Sequence, residues 1–271
     1  MPAPAWAIAI FDIDGVVRDV SNSYRRALAD TVEHFTSGAY RPSQQDIDNL
    51  KAEGIWNNDW EASQELVARY FEQQSWSRDE IKRAIAYPEI VEFFQSRYRG
   101  DTTDDTSLWN GYICQEPLLM ELAYLETLSQ AGVAWGFFSG ATTGSARYVL
   151  EHRLGLKTPP LVAMEDAPGK PDPIGLFQTI QRIEAAAGDV PVFYAGDTVA
   201  DMQTINNARH DQPHRPWVAV GVLPPHVQQA PTQMQQAAAR LKEAGAHFVL
   251  RNVQELTPSL MQEWLDRGSL A

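Results

Sequence analysis

Asp12 and Asp14 stand two residues apart in the run FDIDGVV, Phe11–Val17, directly after a short apolar stretch. At the end of a strand that spacing sends both side chains to the same side. Paired carboxylates of this kind suit phosphoryl transfer. One attacks phosphorus and carries the phosphoryl group as an aspartyl-phosphate. The other protonates the leaving oxygen and then takes a proton from the attacking water. Gly15 permits the tight turn that leaves room for the phosphoryl group. Taken alone, such a run is also an ordinary acidic strand end.

Three later stretches supply what that chemistry lacks. In FFSGAT, Phe137–Thr142, Ser139 and Gly140 follow an apolar run and precede a helix, so a hydroxyl and free amides meet at a helix start. The same pair also serves as a plain helix cap. In GKPDP, Gly169–Pro173, Lys170 lies in a segment too rigid for a helix, where it can meet a phosphate oxygen as a point charge. In YAGDTVAD, Tyr194–Asp201, Asp197 ends a strand and Asp201 follows one helical turn later on the same face. Carboxylates so placed suit Mg²⁺, a hard ion that takes oxygen ligands. Each stretch has a commonplace alternative, but four in this order point to one site at the carboxyl ends of parallel strands.

The elements that must hold these stretches are legible in the hydrophobic pattern. Ala5–Ile13 reads as a buried strand. From Ser23 to Tyr98 the apolar residues recur at helical spacing, and Asp101–Ser107 reads as a loop leading out. Strands are then expected at Val133–Ser139, Leu161–Met164, Pro191–Gly196, Trp217–Val222 and Phe248–Leu250. Helices are expected between them at Thr143–Leu154, Ile174–Ala187, Met202–Ala208 and Thr232–Ala244. This order predicts an α/β fold, a Rossmann-like parallel sheet with an all-helical insertion after its first strand. The expected division is core 1–17, helical insertion 18–114 and core 115–271.

Composition narrows the field further. The 271 residues are 44% apolar and 21% charged, typical of a globular chain. A formal charge of −13 disfavours nucleic acid and anionic membranes as partners, and obliges any phosphate site to build its own positive field. The single Cys114 provides neither an internal disulfide nor a zinc cluster and suits a reducing, cytoplasmic setting. The opening MPAPAWAIAIF has no basic segment before its apolar run and reads as a core strand, not a signal peptide.

Together the four stretches resemble the motifs of the haloacid dehalogenase superfamily, whose members are mostly Mg²⁺-dependent phosphatases. DIDGV resembles the first motif, FFSGA the second, GKPDP the third and GDTVAD the fourth. The insertion resembles, in position and helicity, the cap of the branch that includes phosphoglycolate phosphatase and β-phosphoglucomutase. The resemblance implies that Asp12 is the nucleophile and Asp14 the general acid/base. It implies that Ser139, Gly140 and Lys170 hold the phosphoryl oxygens. It further implies that Asp12, the Asp14 carbonyl and Asp197 bind Mg²⁺, and that Asp201 supports Lys170 or a metal-bound water. True dehalogenation is not expected, because dehalogenases lack an aspartate at the place of Asp14.

The implied function is hydrolysis of a small phosphorylated metabolite, with a cap that screens the leaving group from water. Alternatives are a sugar phosphomutase with the same motifs, a phosphonate hydrolase, and a phospho-acceptor module without turnover. In the insertion, Trp56, Asn57, Asn58 and Asp59 are candidates for selecting a polar substrate. The competing and slightly favoured reading makes Trp56 and Trp60 core residues of the cap and Asn57–Asn58 a turn. Arg18, Asp19 and Tyr24 touch a substrate or form the hinge. His210 and His214 are expected in a surface loop.

Overall fold

The computed structural model describes residues 5–51, 53, 55–56, 58–100, 105–183 and 188–268. The chain divides into two compact units, Met1–Asp19 with Pro117–Ala271, and Val20–Glu116. Arg18 and Asp19 therefore belong to the sheet unit. The chain starts in that unit with β1 (Ala7–Phe11) and then enters the second unit, which is helical.

The helical unit consists of α1 (Tyr24–Phe35), α2 (Gln44–Lys51), α3 (Asp59–Glu72), α4 (Arg78–Ala84) and α5 (Tyr87–Tyr98). α1 packs against both α3 and α5, burying Leu28, Val32, Leu66, Val67, Ile90 and Phe94 between them. Tyr24 stacks on Tyr98 with ring centroids 4.3 Å apart. α4 starts with a reciprocal cap in which the Ser77 hydroxyl and the Glu80 carboxylate each satisfy the other's free backbone amide. The buried Glu65 is neutralised by Arg69 at 2.7 Å and Arg78 at 2.8 Å. At the two ends of the unit, the Ser23 hydroxyl donates to Glu116, and both side chains are buried.

The sheet unit continues with α6 (Leu122–Gln130), β2 (Val133–Phe138), α7 (Thr143–Arg147), β3 (Leu161–Val162) and α8 (Ile174–Arg182). It ends with β4 (Val192–Gly196), α9 (Val199–Asp211), β5 (Trp217–Val222), α10 (Pro231–Glu243), β6 (Phe248–Leu250) and α11 (Pro258–Gly268). All six strands are parallel, in the order β3-β2-β1-β4-β5-β6. The chain thus winds outward from β1 through β2 to β3, then crosses to the other side of β1 to lay down β4. β1, β4 and β5 are buried along their full length, which explains their unbroken apolar sequences.

The expected strands and helices are found, with differences at their ends. The helix expected over 143–154 is α-helical only to Arg147 and then continues as a π-helix over Tyr148–Arg153. Tyr148, Val149 and Leu150 at the start of the π-helix are all buried. The third strand shrinks to Leu161–Val162. α9 starts three residues earlier than expected because Thr198 and Asp201 cap it, and it runs on through His210, which is helical rather than in a loop. α6 and α11 were not anticipated; both cover the sheet's apolar faces. Of the helix expected over 174–187, residues 184–187 lie outside the described residues.

Candidate active site

The crossing of the chain between β1 and β4 creates the site. Phe11 is in register with Phe137 on one side and Ala195 on the other. The next residue, Asp12, therefore emerges between Phe138–Ser139 and Gly196–Asp197. Its N–H donates to Ala195 O at 2.9 Å, which fixes the start of the loop. Ligand sites in open parallel sheets form at such a crossing.

Three carboxylates converge here. One oxygen each of Asp12, Asp197 and Asp201 lie within 4.8 Å of one another. Two glycines make the approach possible. Gly15 takes φ +77°, and a Cβ there would collide with the Asp197 carboxylate; a Cβ on Gly196 would collide with Asp201.

Lys170 is the counter-charge. Its Nζ lies 2.8 Å from Asp12 Oδ1 and 2.7 Å from Asp201 Oδ1, and its side chain is 11% exposed. The ammonium also sits over the rings of Phe138 and Tyr194, 5.2 and 5.5 Å from their centroids. Its loop is tied down by Asn207, whose amide donates to Pro171 O at 3.0 Å.

Asp201 is fully buried and saturated with donors. Oδ1 accepts from Lys170 and from the Tyr194 hydroxyl at 2.7 Å, and Oδ2 accepts from the Thr198 N–H at 3.0 Å and the Thr198 hydroxyl at 2.6 Å. That arrangement commits Asp201 to orienting Lys170. Tyr194 was missed by sequence reasoning. The available signal is a phenol inside a strand whose other residues are apolar, since a buried hydroxyl demands a partner.

The electrostatics separate the three acids. Burial pushes Asp12 up to about 7, with Asp201 and Asp14 adding to the rise and Lys170 opposing it. Burial raises Asp197 well above the usual carboxylate range, helped by Asp201 and Asp12. Burial works the same way on Asp201, but the charge of Lys170 and the bonds from Lys170, Thr198 and Tyr194 outweigh it and hold the carboxyl low. Lys170 is raised, because Asp12 and Asp201 outweigh the burial that opposes its charge. One lysine facing three acids leaves an excess of negative charge in a confined oxygen-lined space. A hard divalent cation fits that donor set.

Ser139 is buried, and its Oγ accepts the Ala141 N–H at 3.1 Å, which leaves the hydroxyl proton free to donate. Gly140 is exposed, with open space where a Cβ would stand. Asp14 stands at the rim, its side chain 29% exposed, and Arg18 binds it at 2.7 Å.

The candidates in the helical unit have local roles. Asn58 caps α3 by accepting from the Trp60 and Glu61 amides at 2.9 and 3.3 Å. Asp59 pairs with Lys51 at 2.7 Å. The Trp56 indole donates to Glu53 at 2.9 Å, and the ring lines a cavity of about 220 Å³ shared with Ile81, Ile85 and Ile90. Asn57 lies outside the described residues. His210 and His214 are exposed.

A parallel α/β sheet with clustered acids and a lysine at its crossing point defines a hydrolase-type site. A sequence profile of the haloacid dehalogenase-like hydrolases matches residues 6–209, and the chain belongs to that family. Among curated proteins, the chain is 28% identical over 257 residues to an imidazoleglycerol-phosphate dehydratase of Phytophthora nicotianae. That match covers 92% of this chain but only 51% of the relative, so the chain spans about half its length. Similar solved structures include a phosphonoacetaldehyde hydrolase-like protein from Oleispira antarctica, at TM-score 0.65 and 18% identity over 96% of this chain and 92% of that one. Phosphatase Tt82 from Thermococcus thioreducens matches at 0.63 and 22%, over 79% and 92%. A β-phosphoglucomutase from Clostridium difficile matches at 0.57 and 15%, over 97% and 99%. These similarities establish the fold. No helix among the described residues is long and apolar enough to cross a membrane.

Proposed function

We propose that this chain is a Mg²⁺-dependent phosphatase that hydrolyses a small phosphorylated metabolite through an aspartyl-phosphate on Asp12. The observation that carries this reading is the contact of Lys170 Nζ with both Asp12 and Asp201 beside Asp197. A carboxylate held at a strand end by one lysine, among acids that need a cation, is equipped to attack an anionic phosphorus.

In the first step an Asp12 oxygen bonds to phosphorus as the ester P–O bond breaks, and a proton on Asp14 passes to the departing alkoxide. In the second step water attacks phosphorus, its proton passes to Asp14, and the P–O bond to Asp12 breaks to release phosphate. Ser139, the Gly140 amide and Lys170 hold the phosphoryl oxygens. Asp12, the Asp14 carbonyl and Asp197 would hold Mg²⁺, which when bound cancels the repulsion between carboxylates and phosphate. Asp201, with all its acceptor positions engaged, keeps Lys170 in place. The insertion Val20–Glu116 acts as the cap, and the lone Cys114 fits a cytoplasmic enzyme.

The test is phosphate release from a panel of phosphorylated metabolites, with and without Mg²⁺, with Asp12→Asn as control. The name of the curated relative places an imidazole-bearing alkyl phosphate in that panel. Mg²⁺-dependent release that disappears in Asp12→Asn supports the reading. Release at the wild-type rate by Asp12→Asn overturns it, and an isomerised sugar phosphate in place of free phosphate points to a mutase.

A further inference from the structure

Arg18 has no exposed surface, and two nitrogens of its guanidinium lie against one carboxylate oxygen. Nε–H donates to Asp14 Oδ1 at 2.7 Å, and Nη2 lies 2.7 Å from the same oxygen. The backbone closes the same loop. Gly15 N–H donates to Arg18 O at 2.8 Å, and Arg18 N–H donates to Ile13 O at 3.1 Å. Arg18 is also bridged to Leu118, so the base of the side chain is anchored on a second segment of the sheet unit. With its backbone fixed and its side chain fully buried, Arg18 has little room to shift. Its charge-assisted contact therefore favours one placement of Asp14.

The two oxygens of Asp14 are thereby made unequal. Oδ1 is occupied by the fork, and Oδ2 accepts nothing among the described residues while the side chain keeps 29% of its surface exposed. We infer that Arg18 is a positioning residue: it pins Asp14 through Oδ1 so that Oδ2 is the oxygen that gives a proton to the leaving group. The inference rests on the phosphatase reading, in which Asp14 is the acid. It goes beyond that reading by assigning the role of each oxygen and a residue that enforces it.

The consequence is selective. Protonation of the leaving oxygen matters greatly for an alkyl phosphate and little for p-nitrophenyl phosphate, whose leaving group departs as a stable anion. In the step concerned, the bond from phosphorus to the ester oxygen breaks as the bond to Asp12 forms, and the proton moves from Asp14 Oδ2 to that oxygen. A purely structural role for Arg18 would slow both esters alike.

The experiment compares kcat/KM for p-nitrophenyl phosphate and for the alkyl ester turned over fastest in the panel. The proteins are wild type, Arg18→Met, Arg18→Lys, Asp14→Asn and the double variant Arg18→Met/Asp14→Asn. Arg18→Met should lower the alkyl rate about 10- to 100-fold and the p-nitrophenyl rate less than about 5-fold, as a misplaced general acid does. Arg18→Lys, with its charge but no fork, should fall between. In the Asp14→Asn background the loss of Arg18 should cost neither rate anything more. Equal losses on both esters, or losses that add to those of Asp14→Asn, overturn the inference. If Arg18→Met does not fold, the Arg18→Lys ratio decides by the same criterion. An Asp14→Asn enzyme with an undiminished alkyl rate, or a panel with no ester turned over, overturns the phosphatase reading itself.

Discussion

The Tyr194 hydroxyl donates to Asp201 Oδ1 at 2.7 Å, in the fully buried space between β4 and the first turn of α9. This bond leaves Asp201 with one lone-pair direction on Oδ1 for Lys170, so the lysine has one place to stand. Tyr194→Phe should cost about 1–2 kcal/mol of stability, the usual effect of leaving a buried acceptor one donor short. Denaturant melts measure this, and an unchanged midpoint would show that the bond contributes nothing.

Lys170 is the one cation within reach of three acids among the described residues. In Lys170→Met the acids lose their counter-charge, and breaking a buried pair of this kind costs about 3–5 kcal/mol. The loss should shrink as pH falls towards 5 and the acids take up protons. Melts at pH 5 and pH 8 read the difference, and an equal loss at both contradicts the electrostatic account.

Without a divalent cation, the protein itself should become less stable as pH rises from about 4 to about 8. Asp12 keeps its proton up to about 7 in the fold, against an ordinary value of 3.8. Its contribution is therefore fully present below 3.8 and lost as pH rises through about 7. Asp197 shifts in the same direction. Asp201 shifts the opposite way, and its contribution is lost as pH falls below its ordinary value of 3.8. Mg²⁺ needs deprotonated carboxylates, so it should raise the melting temperature more at pH 8 than at pH 5. Melts in chelator and in Mg²⁺ at the two pH values test this; a Mg²⁺ effect of the same size at both would contradict it.

Gly15→Ala places a Cβ against the Asp197 carboxylate at a position whose φ is +77°. Displacing Asp197 should weaken Mg²⁺ about tenfold or more, as loss of support around a metal site does. The Mg²⁺ concentration that gives half-maximal activity is the readout. An unchanged value would mean that Asp197 is free to move aside without consequence.

The family and the fold class were legible because their signals are local. A run such as DIDGV states a strand end, a side and a turn within five residues, and alternating strand and helix patterns state a parallel sheet. Element ends were less legible where packing sets them. The helix after Arg147 changes to a π-helix over Tyr148–Arg153, and the early start of α9 depends on the pairing of Thr198 with Asp201. The residues of GIWNNDW show the limit of composition. Asn58 caps α3 and Asp59 pairs with Lys51, contacts that residue types alone do not reveal.

By itself the sequence determined which residues stand at the strand ends, because the two-residue period of a strand and the turn chemistry of glycine act within a few positions. It could not say that Lys170 bridges Asp12 and Asp201, that Tyr194 holds Asp201, or that Arg18 pins one oxygen of Asp14. Tertiary structure decided those. The lysine's bridge exists because the chain crosses over β1 to lay β4 beside it, bringing together segments some 190 residues apart in a register that local spacing does not encode. Arg18 lies only four residues from Asp14, yet it became Asp14's partner through burial, which left its guanidinium in need of a counter-charge.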